Sequence, residues 1–150
     1  MTIPSPGRII AIDWGEVRLG LALSDENQLL ASPLDTLIRR PGKRFPMPPF
    51  LAHLDLHRPV GILVGLPLTP DGDEGPNARA AREVAAVVAA RSGLPVDLLD
   101  ERMTTARAHR EIQAQGGSPR GRKAEVDALA AAVLLQGFLD MRRGGSTREP

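Results

Sequence analysis

At 150 residues the chain has the length of one domain, with enough apolar side chains to bury a core. Nineteen Lys and Arg against eighteen Asp and Glu leave a net charge of +1, so any affinity for a polyanion has to come from local patches. The absence of cysteine excludes disulfides and thiolate metal sites, and a total of one Trp and three Phe disfavours a binder built on rows of stacked bases. No uninterrupted apolar run approaches the ~18 residues of a membrane span, and "MTIPSPGR" lacks the features of a secretory signal, so the expected location is the cytoplasm.

Residues 8 to 14 and 18 to 24 are short apolar, β-branched runs around "GEV", which predicts two strands and a tight turn. "LLASPLDTLI" predicts a third antiparallel strand, placed at an edge or bulged by Pro33. After the Pro-rich, basic linker Arg39 to Pro49, "PFLAHLDLHR" has helical spacing, and "VGILVGLP" is short and apolar enough for a strand buried on both faces. Past the loop "PLTPDGDEG", an Ala-rich helix is predicted from Pro76 to Arg91, with Pro at its first position. "LPVDLLDE" is the next strand. "TTARAHREIQAQGG" predicts a helix capped by Thr104 or Thr105, "GGSPRGR" a loop, and Lys123 to Arg142 a long last helix. Residues 1–7 and 143–150 are expected as flexible tails of a single 1–150 domain. Three antiparallel strands followed by alternating helices and strands imply a mixed five-stranded α/β sheet with helices on both faces, the ribonuclease H-like order.

Three acids fall where such a sheet collects ligands. Asp13 ends the first strand, and Glu101 follows the strand "PVDLLD". Asp127 lies in the first turn of the last helix, bordering an apolar face of Val126, Leu129, Ala130 and Val133. Each has an ordinary structural alternative: a turn former for Asp13, a surface pair with Arg102 or Arg18 for Glu101, and a helix-dipole partner paired with Lys123 for Asp127. The small residues Ala128 and Ala130 to Ala132 would let the helix approach the sheet closely. Three carboxylates converging on one edge repel one another unless a hard cation lies among them, which points to Mg²⁺ or Mn²⁺ activating a water at a phosphodiester.

The blocks "AIDWGEVRLGLALSD", "GLPLTPDGDEGP", "LDERMTT" and "EVDALAAAVLLQGFLD" resemble, in order and spacing, the motifs of the bacterial YqgF family, also called RuvX, and together span residues 11 to 140. The resemblance implies a metal-dependent nuclease that processes the 5′ end of the pre-16S rRNA, with a Holliday junction resolvase-like enzyme acting on branched DNA as the alternative. It places the family's acids on Asp13, Glu101 and Asp127, and its basic residue on Arg18. Arg102 and Thr104 fall in its third block. The chain departs from the family at Val17, often basic, and at Thr69, often Asn, both of which bear on substrate preference.

Phosphate contacts are expected from the basic loop that carries Arg120, Arg122 and Lys123, with Arg107 and Arg110 on a solvated helix face. "RRPGKR", Arg39 to Arg44, either tracks more distant phosphates or blunts an edge. Trp14, next to Asp13 in a strand, should face the opposite side and pack in the core. His53, His57 and His109 have no spacing for zinc. A non-catalytic nucleic-acid-binding module is the reading of another class. An ATP-binding fragment of the actin-like type needs a second domain for which there is no room. A junction resolvase needs two active sites, and no dimer surface is evident in the sequence.

Overall fold

The computed structural model describes residues 2–15, 17–39, 44–104 and 122–147, with side chains of the last helix from Val126 to Gly144. Strands β1 (Ile9–Asp13), β2 (Arg18–Ser24) and β3 (Ala31–Ile38) are followed by helix α1 (Met47–His57), β4 (Gly61–Leu66), helix α2 (Pro76–Ser92) and β5 (Val96–Asp100). A short 3-10 turn, Glu101–Met103, and a long helix α3 (Arg122–Thr147) complete the described elements. The helix expected from Thr104 or Thr105 to Gly116, with Arg107, His109 and Arg110, lies almost wholly outside the described residues, as does the loop with Arg120.

The sheet has the order β3-β2-β1-β4-β5, with β1–β2 and β2–β3 antiparallel and β1–β4 and β4–β5 parallel. This is the mixed five-stranded arrangement expected from the sequence. β3 is an edge strand, and its register shifts opposite Leu21 and Ala22, beside Pro33, whose missing N–H cannot serve a regular ladder. β4 is buried along its whole length. α2 begins on Pro76 and ends at Gly93, whose φ of 74° is the left-handed conformation that closes a helix.

The pleat sorts the strands onto two faces. Ile10 and Ile12 of β1, with Trp14 just past its end, join Leu19, Leu21, Ile62 and Val64 in a core against α1 and α2. Trp14 is 6% exposed, stacks on Phe45 with ring centroids 6.3 Å apart, and carries the Arg39 guanidinium 4.0 Å above its ring. It packs in the core as expected, and the first arginine of the Arg39 to Arg44 stretch is thereby held on an indole. Ile9 and Ala11 face the other way, with Ala22 and Leu63, against Ala131, Leu134, Leu135 and Leu139 of α3.

Two details of α3 differ from the sequence expectation. The residues it buries are Ala128, Ala130, Ala131, Ala132, Leu134, Leu135 and Leu139, so Ala130 of the expected face is inside, whereas Leu129 is 38% exposed and Val126 and Val133 are only partly covered. Small residues therefore form the contact face, because the sheet surface beneath them is itself close. The helix also continues to Thr147, past the expected end near Arg142. Gln136 fixes it lengthwise, accepting from the Ala31 N–H at 2.9 Å and donating to the Leu29 carbonyl at 3.0 Å.

The amino-terminal segment, expected as a loose tail, is instead part of the fold. Ile3 is 1% exposed, lies over Gly61, and donates its N–H to Asp97. Gln28 donates to the Pro4 and Gly7 carbonyls, and Arg142 to the Ile3 carbonyl. A branched apolar side chain three residues from the start had a buried site to fill. Ile3→Ala is therefore expected to destabilise the protein by about 2–4 kcal/mol in urea unfolding, a loss typical of a core truncation; a change below about 0.5 kcal/mol would show the segment to be dispensable.

Helix α1 carries His53, 2.8 Å from Asp35, and His57, stacked on His53 at 5.8 Å. Burial, then the neighbouring His53 and Arg8, hold the His57 imidazole below its ordinary value of 6.5. The unfolded chain thus takes up this proton more readily than the folded one, and the stability contribution present above about pH 6.5 is lost as the pH falls. His57→Asn is expected to flatten the fall in Tm between about pH 7 and 5.5, and an unchanged slope would assign that fall to other groups.

Candidate active site

Three parallel strands bring their carboxyl ends to one edge of the sheet. β1 ends at Asp13, β4 at Leu66, and β5 at Asp100 with Glu101 next in the chain. Asp13 belongs to the face covered by α3. Its cross-strand partner on β2 is Gly20, and on β4 the residue one step beyond the Ile12–Val64 pair is Gly65. An acid with a glycine on each neighbouring strand, about 4.8 Å away on either side, has open space on both flanks.

That space is filled by the other two acids. A Cβ at Gly20 would stand 1.9 Å from the Asp127 carbonyl oxygen and 3.0 Å from the Ala128 nitrogen, so the first turns of α3 lie directly on the glycine backbone. A Cβ at Gly65 would stand 2.9 Å from both Oε2 of Glu101 and Cδ2 of Leu134. The structure therefore gathers Asp13, Glu101 and the α3 turn bearing Asp127 around one glycine–aspartate–glycine row. Asp13 is 1% exposed and Glu101 3%. Burying two carboxylates side by side is costly unless positive charge or hydrogen-bond donors compensate them.

Two described arginines at this edge each pair with an aspartate. Arg18, two residues before Gly20 on the same face of β2, donates from Nε to Oδ2 of Asp127 at 2.8 Å, with side-chain exposures of 29% and 13%. The partner expected for Asp127 was Lys123, whose side chain lies outside those described, as does that of Arg122. Arg102 grips Asp100 with Nε and Nη2 at 2.7–3.1 Å, and this bond raises its already high pKa. Neither arginine suggested for Glu101 thus takes that role. Arg102 also reaches the Pro70 carbonyl at 3.4 Å and lies 3.3 Å from the Cβ position of Gly72, bracing the loop after β4.

Thr69 shapes that loop: its hydroxyl accepts from the Asp73 N–H at 3.1 Å, and its N–H donates to the Asp73 carbonyl at 2.9 Å. Thr104 donates to the Glu101 carbonyl at 3.4 Å, and its methyl lies 2.5 Å from the Cβ position of Gly137, which ties the 3-10 turn to α3. Val17 is 61% exposed at the hairpin tip. Sequence reasoning missed Gly65 and Asp100. The first was signalled by a glycine interrupting the run "GILVGL", a common mark of close approach within a strand.

The donor set around the row is all oxygen, which suits a hard divalent cation such as Mg²⁺ or Mn²⁺ and excludes a soft one. Among the described residues no three His, Asp or Glu side chains already stand at the spacing needed to hold an ion. Asp13 and Glu101 would supply the buried pair, and Asp127, now held by Arg18, the third carboxylate. No helix among the described residues is long and apolar enough to cross a membrane.

Residues 7–141 match the model of a family described as RuvX, Holliday junction resolvase. A protein of Anaeromyxobacter dehalogenans (strain 2CP-C) named "Putative pre-16S rRNA nuclease" is 42% identical over 90% of this chain and 98% of its own length. One of the same name from Roseiflexus sp. (strain RS-1) is 38% identical, over 92% and 97%. Among solved structures, T. thermophilus RuvC in complex with Holliday junction substrate has a TM-score of 0.57 at 21% identity, covering 91% of this chain and 96% of that one. This likeness shows the fold to be the ribonuclease H-like one expected from the strand order.

Gly20 is where the arrangement can be tested by packing alone. A methyl there meets backbone, which cannot rotate away, so Gly20→Ala should displace the start of α3 and lower stability by about 1–3 kcal/mol. Gly144→Ala, in the same helix with open space around its Cβ position, is the matched control and should be neutral or slightly stabilising. Equal Tm values for the two variants would refute the close approach.

Proposed function

The chain belongs to the RuvX family, and from that premise we propose that it is a metal-dependent nuclease that hydrolyses phosphodiester bonds at the 5′ end of pre-16S rRNA. The observation that carries the reading is the burial of Asp13 and Glu101 around one glycine row at the carboxyl edge of the parallel strands. A divalent ion, Mg²⁺ or Mn²⁺, would be held there by Asp13, Glu101 and Asp127, and when bound it supplies Lewis-acid stabilisation of the charge that develops on a phosphodiester.

The chain's own residues bind and orient. The close seat of α3 on Gly20 presents Asp127, the sixth residue of the helix, at the edge where β1 and β5 end. The buried side of the site, lined by Leu134 and the sheet, limits water to the outer edge and strengthens every charge interaction inside it. Arg18, Arg102, Thr69 and Thr104 lie toward that edge, and Arg120, Arg122 and Lys123 are proposed from the sequence as further phosphate contacts. Of these, Arg102 and Thr69 act through the loop they brace, and Arg18 directly, from its place beside Asp127. The description of the family as a Holliday junction resolvase favours branched DNA as the second reading, with the same carboxylates and the same chemistry.

Wild type and Asp13→Asn offered a pre-16S rRNA leader and a synthetic four-way junction, each with Mg²⁺, Mn²⁺ or EDTA, test this directly. Cutting of the RNA is expected with a divalent ion and not with EDTA, and Asp13→Asn should slow it at least about a hundredfold. Faster cutting of the junction assigns the second reading. Binding of either substrate without cleavage, equal in both proteins, would reduce the molecule to a nucleic-acid-binding module.

A further inference from the structure

The Arg18–Asp127 pair occupies an acid that the proposed function needs. Arg18 and Gly20 lie two apart on β2 and share a face, and the missing side chain at Gly20 is what lets Asp127 reach this position. The result is an ion pair 2.8 Å long and mostly shielded from solvent, at the rim of a site whose other two carboxylates are buried. A carboxylate oxygen that accepts a guanidinium N–H at this distance has that lone-pair direction filled, and a cation seeking the same oxygen has to displace the donor.

We propose that Arg18 and a divalent cation compete for the Asp127 carboxylate, making Arg18 a positioning residue that holds the third ligand away from the ion until the ion arrives. This rests on the carboxylate site of the proposed function. Two consequences follow from the geometry. Without an ion, Arg18 supplies positive charge beside the acids and ties α3 to β2. With an ion, the displaced guanidinium stays tethered to β2 at the same edge, where the planar fork suits a phosphate oxygen pair. Exchange of one partner for another thereby couples filling of the ion site to exposure of a phosphate contact, and the coupling is reciprocal.

Mn²⁺ binding by the purified protein without nucleic acid, measured calorimetrically, separates competition from simple charge repulsion. The set is wild type, Arg18→Met, Asp127→Asn and the double variant, with Arg18→Gln in reserve should Arg18→Met lose its cooperative melting transition. Competition requires that Arg18→Met tighten Mn²⁺ binding about three- to tenfold in the wild-type background, the range expected for release of one partly shielded ion pair, and by less than about twofold in the Asp127→Asn background. An equal gain in both backgrounds would mean that Arg18 acts only through its field, and no gain or a loss in the wild-type background would mean that it does not compete; either result overturns the proposal. Asp13→Asn in the same assay keeps the two levels apart. If it leaves Mn²⁺ affinity unchanged, the carboxylate site itself is wrong, whereas weakened binding with no effect of Arg18→Met overturns the competition alone.

Discussion

Two absent side chains govern this molecule. At Gly20 and Gly65 the sheet surface drops to bare backbone on either side of Asp13, and into those two gaps come the first turns of α3 and the carboxylate of Glu101. The approach is closer than any Cβ would permit, and close packing makes it expensive to undo. Much else follows from it. On α3, alanines lie beside Gly20, and Leu134 reaches over Gly65, with Leu135 and Leu139 buried further along the helix. Gln136 then locks the helix lengthwise against β3, so that the turn carrying Asp127 cannot slide along the strand.

The electrostatics of the edge are arranged in pairs rather than as a field. Arg102 is bound to Asp100 by two nitrogens and Arg18 to Asp127 by one, while Arg39 lies on the indole of Trp14. With a net charge of +1, the protein has little general attraction for a polyanion to draw on. What it has instead is a set of arginines whose positions are fixed by short contacts within the fold. For Arg102 and Arg39 that geometry is set before any ligand arrives, so less side-chain freedom is then lost on binding.

How much of this was legible beforehand depends on the range of the signal. The strands and their turns are local, and the alternation of β1 and β2, the proline at the bulge of β3 and the proline start of α2 each announce themselves within a few residues. Asp13 and Glu101 were also readable, because an acid at the end of an apolar run is out of keeping with its neighbours. The close seat of α3 was readable too, in the run of small residues Ala128 and Ala130 to Ala132, which are all buried. The part that misled is the larger residues: Val126, Leu129 and Val133 are more apolar than those alanines, and hydrophobicity alone places them inside, whereas the sheet selects for size there, which depends on glycines more than sixty residues away. The pairing of Arg18 with Asp127, 109 residues apart, is likewise set by the sheet's β1–β2 register and the seat of α3. Ile3 was overlooked for another reason, since position near a terminus says nothing about burial.

The order of the elements along the chain has a bearing on when the site exists. Asp13 and Gly20 are made early, Gly65 and Glu101 later, and Asp127 arrives only with α3, the last of the described helices. Until that helix emerges during synthesis, the face of the sheet bearing Asp13 lacks the cover of α3 and the group of acids is incomplete, however well the five strands have paired. The three acids therefore come together only after α3 has been made. In a chain whose relatives carry the name of a ribosomal RNA nuclease, folding order would keep those acids apart while the earlier elements are still being produced on a ribosome.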